Sequence, residues 1–231
     1  MIDVKRDFEE RVEEIELYFE FIENLVEKDA KLIYPDKSEK EFDDDLVKIF
    51  KANSFLLLYN LCESCIPNAV EAIYLKVNTD GVNFDKLRSE FKIEIIKFLK
   101  SANSAKPKDF VGRINNIAQG IILECFKKEK LFPGNIDADK ISELARKYGF
   151  SSSCTFVINS DGSRSNIKRS NLRTVRRKRN ELAHGTYSFK ECGKDYTIPD
   201  LIEIKNHVVE YLRQILNNIE QYIINQEYLV S

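Results

Sequence analysis

Apolar residues at Phe8, Val12, Ile15, Phe19, Ile22 and Val26 recur at steps of three and four, the spacing of one helix face. The pattern predicts an amphipathic helix from Val4 to Ala30, broken by Tyr34-Pro35-Asp36-Lys37-Ser38. A second helix is predicted from Glu41 to Cys65. Its centre, Ser54-Phe-Leu-Leu-Leu-Tyr-Asn-Leu61, is apolar nearly all round, which places it in the middle of a bundle. Pro67 permits a bend or a new helix start, and the helical period resumes through Ala69, Ile73 and Val77 before a turn at Thr79-Asp80-Gly81.

Phe84 to Leu99 is again amphipathic. A polar loop is expected over Ser101–Lys108, a helix over Asp109–Lys128 and a tight turn at Phe132-Pro-Gly-Asn135. Asp137 stands where a cap would start a short helix through Lys147. Residues 149–169 are rich in Ser, Asn and Gly and hold one β-like patch, Thr155-Phe-Val-Ile158, so they predict a flexible insertion. A basic helix is expected over Ser170–His184. Tyr187-Ser-Phe189 and Tyr196-Thr-Ile198, flanking Cys192-Gly193-Lys194, then suggest a small hairpin. The last helix runs from Pro199 to Asn225 on a stripe of Leu201, Ile204, Val208, Leu212, Ile215, Ile219 and Ile223. With no internal repeat and no Pro-rich linker, the simplest organisation is one all-α domain over residues 1–231. It would carry an acidic N-terminal helix within residues 1–40 and a β-hairpin or irregular insertion near 150–198.

Composition agrees with a helical core: the chain is 43% apolar, and 8 Gly and 5 Pro in 231 residues are too few turn formers for an all-β fold. The net charge of −2 conceals an asymmetry. Residues 1–45 carry seventeen acids against seven Lys and Arg, whereas residues 164–179 carry eight cations and no acid. A basic segment in an acidic chain points to a defined anion site rather than general coating of nucleic acid. Met1-Ile-Asp-Val-Lys5 opens a charged helix rather than a targeting sequence. With an odd cysteine count (Cys62, Cys65, Cys125, Cys154 and Cys192), it favours a reducing cytoplasm. No apolar run approaches the roughly 20 residues of a membrane span, so no membrane partner is expected. Cys62-x-x-Cys65 lacks a second pair and a neighbouring His, and reads as two packing thiols. Asp43-Asp44-Asp45 are consecutive and point different ways on a helix, so they read as a solvated helix start. No metal and no cofactor are expected.

The chemistry concentrates at the end of the basic helix. On a wheel of about 100° per residue, Leu172, Val175, Leu182 and Ala183 share an apolar sector with Arg179 in its middle. A guanidinium on an apolar stripe requires a partner or a wet cleft. Glu63, on the apolar second helix together with Asn60, is the acid expected to supply that partner. Asn180 and His184, four apart, share an adjacent face with Arg173, Arg176 and Arg177. Gly185 stands where a left-handed C-cap belongs, so these residues alone are equally a plain helix end with His184 near the terminal carbonyls. His207, beside Val208 and Val209, is expected to be structural or exposed.

Arg179-Asn-Glu-Leu-Ala-His184-Gly185 resembles the Arg-x4-His signature of the HEPN superfamily (higher eukaryotes and prokaryotes nucleotide-binding). Asn53 to Glu63 resembles the early helix of the MAE-like HEPN family, and Phe132-Pro-Gly-Asn-Ile-Asp137 its turn before a short helix. Leu172 to Phe189 and the long helix after Pro199 follow in the same order, so the resemblance spans roughly residues 45–225. It implies an all-α HEPN-type bundle, a homodimer with the two Arg-x4-His helices facing across a cleft, and metal-independent RNA cleavage. It also implies service in toxin–antitoxin or antiviral defence, with a separately encoded antitoxin or defence-complex protein as partner. Relatives paired with nucleotidyltransferase antitoxins often carry a modifiable tyrosine two residues after the motif histidine. Here Thr186 holds that place and Tyr187 comes one later.

On this resemblance the residues take roles that suit a phosphodiester. The 2′-hydroxyl of RNA attacks its own phosphorus, which needs a base, an acid for the leaving 5′ oxygen and a cation for the charge developing on phosphate. Histidine can take up and release a proton near neutrality, so His184 suits the first two roles. Arg179, always charged and forked, suits the third. Asn180 is expected to orient either the imidazole or the phosphate. Arg173, Arg176, Arg177 and Lys178 are expected to bind RNA, with Glu63 and Asn60 in support. The alternative, from the same residues, is a non-catalytic HEPN dimerisation or RNA-binding subunit of a defence complex.

Overall fold

A computed structural model describes residues 1–28, 30–100, 111–112, 114–115, 135–158 and 164–230. The loop, helix and turn expected between Ser101 and Gly134, and Cys125, lie almost wholly outside them. The described residues are overwhelmingly helical, with two small two-stranded sheets, as expected of an all-α HEPN-type bundle. They group into two compact units. The first comprises residues 1–4, 65–153 and 214–231, the second residues 5–64 and 154–213.

The second unit holds nearly all of α1 (Ile2–Glu27), whose Phe8, Val12, Ile15, Phe19, Ile22 and Leu25 are buried. Val26 is only half-buried, because the step from Ile22 is three rather than four. The charged faces of α1 are pinned by ion pairs: Glu9 takes both Nε and Nη2 of Arg213, and Glu16 accepts the buried Lys205 ammonium. The acidic helix is thus an integral wall of this unit. After it, β1 (Lys31–Ile33) pairs antiparallel with β2 (Glu39–Glu41), where the sequence predicted only a break. Lys37 (φ 65°) and the Asp36 carboxylate, which accepts from the Ser38 N–H and hydroxyl, close the turn. Three-residue strands are too short to show alternation.

Helix α2 (Asp44–Thr79) starts where the Asp43 carboxylate accepts the N–H of Asp45 at 2.8 Å, so the acidic triplet is a capped helix start. It then runs through Pro67 without a break. Proline costs such a helix about 3 kcal/mol, but Ile66, Ala69, Val70 and Ile73 are all fully buried, and that packing outweighs the lost backbone bond. Phe55, Leu58, Tyr59 and Leu61 are buried as the apolar centre required, and so are Cys62 and Cys65.

The first unit contains α3 (Ser89–Lys100) and α4 (Ala138–Tyr148). Asp137 caps α4 by accepting the N–H groups of Asp139 and Lys140, and Gly149 (φ 90°) ends it. Tyr74, Phe91 and Tyr148 pack ring against ring with centroids 5.4–5.8 Å apart. The Tyr222 hydroxyl donates to the Tyr148 carbonyl at 2.6 Å.

Within the insertion, β3 (Phe156–Ile158) finds its antiparallel partner in β4 (Arg164–Asn166). Helix α5 (Arg169–Ala183) follows. The hairpin expected over 187–198 is instead the short helix α6 (Phe189–Lys194). A Ser188/Glu191 capping box opens it, and four satisfied backbone and side-chain groups outweigh the weak strand propensity of Tyr187-Ser-Phe189. Helix α7 (Ile198–Ile224) closes the order. Its stripe is buried from Leu201 to Ile219, with Tyr222 rather than Ile223 as the last core residue. Among the described residues no helix is long and apolar enough to cross a membrane.

Candidate functional site

The end of α5 is a Schellman motif. Gly185 (φ 68°) donates its N–H to the Leu182 carbonyl at 3.2 Å, and Thr186 donates to Glu181 at 3.0 Å. His184 is the C-cap residue. It is exposed, and its imidazole has no hydrogen-bond partner among the described residues.

Arg179 lies half-buried against α2, and the partner inferred from its place on an apolar stripe is present. Nη2 donates to Oε1 of Glu63 at 3.5 Å, Nη1 donates to Oδ1 of Asn180 at 3.0 Å, and the guanidinium lies 4.4 Å over the Tyr59 ring. Tyr59 and Glu63 are one turn apart on α2, so one helix face supplies both a ring and a carboxylate. Two of the five guanidinium N–H donors are engaged, and 29% of the side chain remains open to solvent.

Asn180, expected to orient the imidazole or the phosphate, lies beside the Arg179 guanidinium. Its side-chain oxygen faces Arg179, and its backbone carbonyl receives the His184 N–H at 3.0 Å. Asn60 is turned toward α1, where its oxygen accepts from Nη1 of Arg11 at 3.0 Å. Arg173 and Arg177 are exposed and Arg176 is half-buried, with Arg177 at 4.0 Å from Glu181.

Lys178, expected among the RNA-binding cations, is buried. Only 6% exposed, it points its ammonium at Glu181 (3.3 Å) and Asp195 (3.7 Å) and over the rings of Tyr187 (4.4 Å) and Tyr196 (5.7 Å). Burial alone would lower its pKa, but the Glu181 carboxylate and the groups around it raise it, so it stays charged inside this cage. Tyr187 donates its hydroxyl to Asp195 at 3.2 Å and forms one wall. The buried stripe of α5 is thus Leu172, Val175, Lys178 and Leu182, while Ala183 is exposed.

His207 is buried and structural. Its Nδ1 accepts the backbone N–H of Lys168, the residue that caps α5, at 3.1 Å. Glu203 lies 3.6 Å from Nε2 and also receives the Lys168 ammonium. Burial is the largest influence on this imidazole and moves its pKa down from 6.5. Sequence reasoning missed two features here. The ring of Tyr59 had one available signal, its place four residues before Glu63. The anchoring of α5 by His207 had none.

Among the described residues, no three His, Cys, Asp or Glu side chains converge as metal ligands. The geometry offers a fixed, half-exposed guanidinium and a free imidazole at the end of one helix, beside exposed arginines. No curated protein and no solved structure matches the chain. The model of the HEPN_MAE_28990 family, described as MAE_28990-like HEPN, matches residues 3–228, nearly the whole length. The chain belongs to this HEPN family.

Proposed function

We propose that this chain is a metal-independent endoribonuclease of HEPN type that cleaves RNA at a site shared by two copies. The observation that carries the reading is Arg179, held in place by Tyr59, Glu63 and Asn180 with donors to spare, five residues before a solvent-facing His184. Five residues turn a helix through about 140° net, so the two side chains leave α5 in different directions. A two-fold axis that brings two α5 ends together supplies each function twice around one cleft.

The 2′-oxygen forms its bond to phosphorus as the bond to the 5′-oxygen breaks. His184 takes the 2′ proton and passes a proton on to the leaving oxygen, while Arg179 stabilises the charge on the non-bridging oxygens. The products are a 2′,3′-cyclic phosphate and a 5′-hydroxyl. Arg173, Arg176 and Arg177 provide the electrostatic contact with the strand. The family and this chemistry suit a role in toxin–antitoxin or antiviral defence in the cytoplasm, with RNA as substrate and a separately encoded protein as inhibitor or partner.

The test is RNA incubated with the purified protein in EDTA, beside His184→Ala. Metal-free cleavage yielding cyclic phosphate ends, absent with His184→Ala and with an all-DNA strand, supports the reading. Full cleavage by the variant overturns it. One observation favours a second reading, a non-catalytic RNA-binding or dimerisation module: the Glu63 carboxylate offsets part of the Arg179 charge. Salt-sensitive RNA binding without cleavage selects that alternative.

A further inference from the structure

Three contacts hold the Arg179 guanidinium, and they do different work. The Glu63 bond, 3.5 Å long with both side chains about a third exposed, is a loose edge contact. Asn180 is the next residue on the same helix and fixes only Nη1. The ring of Tyr59 is different: it is 1% exposed, buried like Phe55, Leu58 and Cys62 of the same helix, which restricts its orientation. The guanidinium carbon of Arg179 lies 4.4 Å over the centroid of that ring. A ring face holds a planar cation along the plane normal, consumes no N–H donor and adds no compensating negative charge. A second carboxylate in that place would do both.

From this we infer that Tyr59 is a positioning residue for the proposed RNA cleavage: its buried ring fixes the place of Arg179, so that the donors not taken by Glu63 and Asn180 face the reacting phosphate. The inference rests on the reading of Arg179 as the cation that stabilises the transition state. Misplaced by a fraction of an ångström, such a donor loses transition-state stabilisation while still attracting RNA by charge, so the effect belongs in kcat rather than KM.

The test replaces Tyr59 by phenylalanine and then by mono-, di- and trifluorinated phenylalanine, which weaken the ring's attraction for a cation at nearly constant shape. Tyr59→Phe is expected to keep kcat within about twofold, and the trifluorinated ring to lower it about tenfold with KM nearly unchanged and the melting temperature constant. A kcat indifferent to fluorination overturns the inference. So does a kcat that tracks the melting temperature, or a Tyr59→Phe that loses as much as the trifluorinated ring, which would assign the effect to the hydroxyl. If the unmodified protein cuts no RNA in the His184-controlled assay, the endoribonuclease reading fails first and takes the role of Tyr59 with it. If it cuts and the fluorinated series is flat, only the inference about Tyr59 fails.

Discussion

His207 accepts the backbone N–H of Lys168 through Nδ1 at 3.1 Å, so a neutral imidazole on α7 holds the N-cap residue of the helix that ends near Arg179 and His184. The proton that acid would add goes to the same nitrogen. Burial favours the neutral ring, the Lys168 ammonium adds to that preference and Glu203 opposes it, with a net shift below 6.5. The folded state therefore binds this proton later than the unfolded chain does. Stability from this contact is fully present above pH 6.5 and is lost as pH falls from there toward the lowered folded value. Denaturant titrations at successive pH values should show that slope as pH falls below 6.5. His207→Leu should flatten it, at a cost of about 1–3 kcal/mol for the Lys168 N–H left without an acceptor. A slope unchanged in the variant would assign it to other groups.

Lys178 and Arg177 are neighbours in one basic run with opposite expected phenotypes. Removing the Lys178 ammonium leaves Glu181 and Asp195 facing each other in a half-closed aromatic cage. Lys178→Ala is expected to cost about 3 kcal/mol of stability and to leave the salt dependence of RNA binding as it was. Arg177 is exposed, with a distant partner. Arg177→Ala should change stability by less than about 0.5 kcal/mol and lower the slope of log affinity against log salt by about 0.7 for a single strand. Fluorescence anisotropy over a salt series, in a His184→Ala background that does not cut, reads both. Reversal of the two phenotypes would return Lys178 to the RNA-facing set.

That contrast also shows which parts of the molecule were legible in the sequence. Helices α1 and α7 carry ten or more residues of unbroken 3.6-residue periodicity, and their stripes emerge nearly position for position. The Arg179–Glu63 pair followed from one energetic argument, that a cation on an apolar stripe needs an acid. The burial of Lys178 was hidden because its cage comes from Tyr187, Asp195 and Tyr196, around the segment read as a hairpin. The Ser188-x-x-Glu191 signature of a helix start was present there, but three alternating residues on either side imitated strands. Where contacts join distant segments, as between Tyr59 and Arg179 or His207 and Lys168, local pattern has no means of announcing them.

Two glycines near the motif test different physics. Gly193 approaches α2 so closely that a Cβ would stand 1.8 Å from the Lys48 carbonyl oxygen and 2.6 Å from its carbon. Backbone cannot rotate away as a side chain would, so Gly193→Ala is expected to cost about 3 kcal/mol or more. Gly185 has open space around its Cα but sits at φ 68°. Gly185→Ala should cost only about 1 kcal/mol, the left-handed penalty. Thermal melts distinguish them, and equal losses would mean that α6 does not pack on α2 as closely as described.

The divergence of Arg179 and His184 around α5 bears on how many chains build one site. If a site takes its guanidinium from one copy and its imidazole from the other, two inactive variants complement each other. A mixed dimer of Arg179→Ala and His184→Ala joins the intact Arg179 of the second variant to the intact His184 of the first, in one of its two sites. The purified mixed dimer holds one complete site where the unmodified dimer holds two, so its activity should return to about half of the unmodified level. Co-expression with two different affinity tags, purification of the doubly tagged species and the EDTA cleavage assay measure it. Failure of the isolated mixed dimer to cut RNA would place both groups of a working site on a single chain.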